Sequence, residues 1–83
     1  MRIMIAEDDP LIRLDLQQAL EAAGHEVCGV AGDGVEAVTV ALRERPDLAV
    51  VDVQMPRLDG VEALRRIAAV HELPVVVLTG MRD

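Results

Sequence analysis

Eighty-three residues allow one small domain, and a composition of 52% apolar and 28% charged residues is that of a globular chain rather than a disordered one. Acidic side chains outnumber basic ones 15 to 8, and a net charge of −7 repels phosphate backbones, which argues against nucleic-acid binding by this chain alone. Phe, Tyr and Trp are absent, so base stacking and aromatic cages are excluded and the core must be aliphatic.

The opening Met1-Arg2-Ile3-Met4-Ile5-Ala6-Glu7-Asp8-Asp9-Pro10 meets acids too early for a signal peptide. No apolar run approaches the ~20 residues of a membrane span. Cys28 has no partner for an internal disulfide, which fits a reducing, cytoplasmic setting.

In chain order, Ile3–Ala6 is a short apolar run and reads as a buried strand. Asp9-Pro10 opens a helix, with Asp as cap and Pro suited to the first helical position. Helical spacing then runs from Leu11 to Ala23, with an apolar stripe of Ile12, Leu16, Ala19, Leu20 and Ala23 and a polar one of Arg13, Gln17 and Glu21. Gly24 ends it in a left-handed conformation. Val27–Ala31 is a second strand, weakened by Gly29. Gly32-Asp33-Gly34 is a turn, from which Asp33 caps a helix with Glu36 at capping-box spacing. That helix runs to about Arg45, where Pro46 helps to stop it.

Leu48–Val53 reads as a central strand and Gln54–Leu58 as a loop. Asp59-Gly60-Val61-Glu62-Ala63 repeats Asp33-Gly34-Val35-Glu36-Ala37, the same helix-start chemistry used twice. The third helix reaches about Val70, and Val75–Leu78 is a fourth strand ending at Thr79. Strands alternating with helices predict a parallel sheet with helices on both faces. Cys28 reads as a small buried hydrophobe and His25 and His71 as surface residues, while Met1, Met4, Met55 and Met81 fill core, loop or ends.

The candidate functional residues all stand at predicted strand ends: Glu7, Asp8 and Asp9 after the first, Asp52 near the end of the third, Thr79 at the fourth. Open parallel sheets bind ligands outside the carboxyl ends of their strands. If the first and third strands are neighbours, Glu7, Asp8 and Asp52 converge, and such a group calls for a hard cation, Mg²⁺ before Zn²⁺. A carboxylate within Leu48-Ala49-Val50-Val51-Asp52-Val53 is costly without a partner, whereas Glu7-Asp8-Asp9 alone reads equally well as a solubilised strand end with a cap.

Ile5-Ala6-Glu7-Asp8-Asp9-Pro10-Leu11-Ile12-Arg13, Pro46-Asp47-Leu48-Ala49-Val50-Val51-Asp52-Val53-Gln54-Met55-Pro56, Leu58-Asp59-Gly60 and Pro74-Val75-Val76-Val77-Leu78-Thr79 together resemble the receiver domain of two-component response regulators. The resemblance runs through the whole chain. It implies a flavodoxin-like doubly wound α/β sheet in strand order 2-1-3-4. It also implies Asp52 as phosphoacceptor, Asp8 as a direct Mg²⁺ ligand, Glu7 as its acidic partner, the Gln54 main-chain carbonyl as a further ligand, and the Thr79 hydroxyl as phosphoryl-binding switch. The partner implied is a sensor histidine kinase or phosphotransfer protein. Ile5-Ala6-Glu7-Asp8 with Leu11-Ile12-Arg13-Leu14-Asp15-Leu16 further resembles receivers joined to RNA-binding antiterminator (ANTAR-type) domains.

A receiver normally continues through a fifth strand that carries a lysine and an aromatic switch residue. No lysine follows Thr79, so the expectation is a receiver incomplete at its C-terminus, with residues 1–83 as one domain. In that order Val75–Leu78 is an edge strand, which predicts a homo-oligomer through it. The alternative function is therefore an interaction module without phosphotransfer. Two decoys are set aside. Gly32-Asp33-Gly34-Val35-Glu36-Ala37 matches a dinucleotide fingerprint but would set Asp33 against a pyrophosphate. A phosphoaspartyl hydrolase would offer an acid where Gln54 stands.

Overall fold

The computed structural model of the chain describes residues 1–52, 60–69 and 72–78. Strands and helices alternate: β1 (Arg2–Ala6), α1 (Pro10–Ala22), β2 (Glu26–Ala31), α2 (Gly34–Glu44), β3 (Leu48–Asp52), α3 (Gly60–Ala68) and β4 (Val75–Leu78). The strands form one parallel sheet in the order β2-β1-β3-β4. Each expected element is present, with bounds that differ by a residue or two. The tail of the predicted third strand at Val53, the Asp59 cap, Val70 and His71 fall outside the described residues.

Side chains alternate across the sheet. Met4 and Ala6 of β1, Ala31 of β2 and Ala49 and Val51 of β3 pack with Ala37, Val40 and Ala41 of α2 and Ile67 of α3 into the main core. The intervening Ile3, Ile5 and Val50 are buried toward the other face, and α1 packs against β1 and β2 there.

The local chemistry matches the sequence at most helix ends. Asp9 Oδ1 accepts from the Leu11 and Ile12 amides at 2.9 and 3.3 Å. Asp33 Oδ1 accepts from the Glu36 amide at 2.8 Å, and Glu36 Oε1 from the Gly32 amide at 3.2 Å, so Gly32–Ala37 is a turn and a capped helix start. Gly24 takes a φ of 91° after α1. Arg45 caps α2 at a φ of 46°, a left-handed position usually left to glycine or asparagine.

The α1 stripe, His25 and Cys28 depart from expectation. The inner face of α1 is Arg13, Leu16, Gln17 and Leu20, all half-buried, while Ile12, Ala19 and Ala23 are exposed. The stripe is rotated because Arg13 turns its head inward and long polar side chains can lay their stems on apolar surface. His25 is half-buried rather than on the surface, and its Nδ1 is shielded without a hydrogen-bond partner among the described residues. Cys28 is half-buried rather than buried, because the β1–β2 register jumps from Ile3↔Val27 to Met4↔Gly29 and leaves Cys28 as the extra residue of a bulge. Burial raises its thiol pKa above the ordinary value, with Arg2 opposing, so the reactive thiolate is scarcer at neutral pH than in the unfolded chain.

The far end of the sheet is tied by Arg2. Its amide donates to Asp47 Oδ2 at 2.9 Å, its Nη1 to the Glu44 carbonyl at 2.7 Å, and its Nε lies 3.5 Å from Glu26. No helix among the described residues is long and apolar enough to cross a membrane.

Gly29 is set by space. A Cβ there would stand 2.6 Å from Val40 Cγ1, a rigid branched side chain buried in the core. Gly29→Ala is expected to destabilise the fold by about 1–3 kcal/mol despite the lower entropy of its unfolded chain, as read by urea unfolding followed by circular dichroism.

Candidate metal centre at the carboxyl ends of the strands

β1 and β3 are hydrogen-bonded neighbours whose register pairs Ala6 with Val51. The next residue on each strand is therefore Glu7 on one and Asp52 on the other. Alternation from Ile5 and Val50 sends both toward the α1 side of the sheet. Glu7 is 2% exposed and Asp52 1%, the two buried polar side chains among the described residues, and Asp8 beside them is half-buried.

Carboxylate oxygens of Glu7, Asp8 and Asp52 all lie within 4.8 Å of one another. Two unit charges at that separation repel by about 3 kcal/mol at an effective dielectric constant of about 20. The donors are all oxygen, which suits Mg²⁺, Mn²⁺ or Ca²⁺ rather than zinc or copper. The donor set fits a hard divalent cation: two nearly inaccessible carboxylates and one half-buried one meet at the strand ends.

The main chain around Glu7 is held closely. Its amide donates to the Ala31 carbonyl of β2 at 2.9 Å, and its Oε2 accepts from the Asp9 amide at 2.9 Å. Asp9 caps α1 and is not among the three clustered acids. Thr79 and Gln54 lie outside the described residues. Arg13 escaped the sequence reading: its Nη1 donates to the Glu7 carbonyl at 3.2 Å. Nothing in an amphipathic pattern distinguishes such an arginine from a solvated one.

The sequence profile of the response regulator receiver domain matches residues 3–83. The chain belongs to the response regulator receiver family. Receivers are signalling domains of two-component systems; they accept a phosphoryl group on an aspartate and bind Mg²⁺ at an acidic cluster. Among curated relatives, the transcriptional regulatory protein PdtaR of Mycobacterium tuberculosis (strain H37Rv) is 51% identical over 78 residues, 94% of this chain and 38% of PdtaR. Response regulator MprA of Mycobacterium leprae is 45% identical over 80 residues, 95% of this chain and 35% of MprA. The chain thus spans less than two-fifths of the length of either relative. Among solved structures, the response regulator domain of Thermotoga maritima CheB superposes with a TM-score of 0.93 at 30% identity, covering 100% of this chain and 63% of that one. The response regulator PhyR from Brucella abortus superposes with a TM-score of 0.85 at 36% identity, covering 92% of this chain and 32% of PhyR. The fold is accordingly the flavodoxin-like receiver fold.

Removing one charge from the cluster should relieve its repulsion. Asp52→Asn is expected to raise the melting temperature of the receiver in EDTA by roughly 5 °C, and to shrink the further rise that Mg²⁺ produces in the parent chain. Scanning calorimetry with and without Mg²⁺ reads both.

Proposed function

We propose that this receiver accepts a phosphoryl group on Asp52 from a phosphohistidine of a sensor histidine kinase or phosphotransfer protein. The observation that carries the reading is the placement of Asp52: a buried carboxylate at a strand end, beside Glu7 and Asp8. In this reading Asp8 and Asp52 ligate Mg²⁺ directly, Glu7 assists, and the Gln54 main-chain carbonyl adds a ligand. Magnesium, when bound, would neutralise the phosphoryl oxygens and the acids around them.

An Asp52 carboxylate oxygen attacks phosphorus in line, forming an O–P bond as the N–P bond of the phosphohistidine breaks. The imidazole leaves with that electron pair and takes up a proton from water. The product is an acyl phosphate, which adds close to two negative charges to the site. The Thr79 hydroxyl then donates a hydrogen bond to a phosphoryl oxygen, a local event able to bias a two-state element. The chain is a stoichiometric acceptor rather than a turnover enzyme, and we place it in the cytoplasm with its donor. An output in transcriptional regulation is suggested by the name of PdtaR.

With Mg²⁺ and a small acyl-phosphate donor, mass spectrometry should show the chain gain one phosphoryl group. Asp52→Asn should show none, and EDTA should suppress labelling of the parent. Equal labelling of Asp52→Asn would place the chemistry elsewhere.

A second reading, self-assembly, is favoured by one observation. Among the described residues β4 lies at the edge of the sheet, with β3 on one side, and Val76 is 47% exposed in a strand of Val75, Val76, Val77 and Leu78. Apolar, β-branched edges recruit further strands, and an antiparallel match with a second copy would close by two-fold symmetry. Light scattering of the 83-residue chain at micromolar concentration should report a dimer or larger species. Val76→Lys, which penalises edge pairing, should shift it toward monomer.

A further inference from the structure

We propose that Arg13 is a positioning residue for the acid cluster, and that Gly32 supplies the space its guanidinium needs. Arg13 lies one turn into α1, its amide donating to the Asp9 carbonyl at 2.9 Å. The side chain is half-buried and reaches back toward the sheet, where Nη1 donates to the Glu7 carbonyl at 3.2 Å. That carbonyl belongs to the peptide unit joining Glu7 to Asp8. The bond therefore fixes the plane that connects two of the three clustered acids.

Glu7 is then held by Ala31 through its amide, by Asp9 through its carboxylate and by Arg13 through its carbonyl. A ligand set keeps its geometry when the groups behind it are themselves bonded. On the other side of the guanidinium stands the β2–α2 turn. A Cβ on Gly32 would lie 3.0 Å from Arg13 Nη1, and the Gly32 amide is itself tied to Glu36. The guanidinium thus sits between the β1–α1 connection and the β2–α2 turn. At Gly32 the crowded atom is the tip of a flexible side chain, so a methyl there pushes the guanidinium by a few tenths of an ångström and leaves the backbone in place.

Position and charge pull in opposite directions. A nearby cation weakens binding of a divalent metal, whereas an ordered Glu7–Asp8 peptide strengthens it. The two effects therefore predict opposite signs. The inference rests on the acid cluster being a cation site, and the test separates the two ideas.

Mn²⁺ affinity of the 83-residue chain is measured by titration calorimetry and by water-proton relaxation. Loss of a group that orients metal ligands weakens binding by roughly ten-fold or more, and Arg13→Ala is expected to do so. Gly32→Ala keeps every charge and should weaken binding in the same direction but by less, since it shifts the guanidinium without removing it. The double variant should be no weaker than Arg13→Ala alone, because both substitutions act on one contact. Arg13→Lys, which keeps the charge and one donor, should recover part of the loss. Circular dichroism melts without metal identify any variant that does not fold. If Arg13→Ala is one, Gly32→Ala and Arg13→Lys carry the test. Parent chain that binds no Mn²⁺ overturns the cation site itself. Parent chain that binds, with Arg13→Ala binding equally or more tightly, overturns the role of Arg13, and Gly32→Ala unchanged overturns the part given to Gly32.

Discussion

Everything at the functional end of this receiver depends on β1 and β3 being parallel neighbours in one register. Pairing Ala6 with Val51 brings Glu7 level with Asp52, although the two are far apart in sequence. A shift of one residue on either strand would exchange its faces and send one carboxylate into the aliphatic core. The register is therefore held by both faces at once: Met4, Ala6, Ala49 and Val51 on the α2–α3 side, Ile3, Ile5 and Val50 on the other.

The two ends of the sheet carry opposite charge logic. Acids collect at the carboxyl ends, where Glu7, Asp8 and Asp52 repel one another. At the amino ends Arg2 does the opposite, its guanidinium joining Glu26 to the end of α2 while its main-chain amide holds Asp47. That network is largely exposed, so it contributes modestly to stability; its effect is to gather the start of β1, the start of β2 and the α2–β3 turn at one corner. The cost of the acidic end falls on the hydrophobic core, which is small and wholly aliphatic. A close approach such as that of α2 to β2 at Gly29 makes full use of the little apolar area available.

Much of this was legible in the sequence, because the signals were local. The caps at Asp9 and Asp33, the stop at Gly24 and the alternation of elements all follow from residues within a few positions of each other. The acids could be placed at strand ends in the same way. Their convergence required the strand order, which only the family resemblance supplied and the sheet confirms. What stayed hidden depends on distant partners. The bulge at Cys28 arises from how β2 meets β1, and the rotation of α1 arises from a guanidinium bonding a carbonyl six residues earlier. Left-handed Arg45 has no sequence signal of its own, since the following proline disfavours helix at that position without specifying what replaces it.

Gly29 and Gly32 show how one residue type serves two purposes within a single strand–turn unit. At Gly29 the neighbour is Val40, a stiff side chain deep in the core, so the glycine lets a helix lie close to a strand. At Gly32 the neighbour is the end of Arg13, which can swing away at small cost to the fold. A larger residue at the first position strains the core, whereas at the second it crowds the guanidinium that bonds the Glu7–Asp8 peptide. Stability and site geometry are thus separable at two positions three residues apart. The turn after β2, which holds none of the clustered acids, acts on the site through the room it leaves for an arginine.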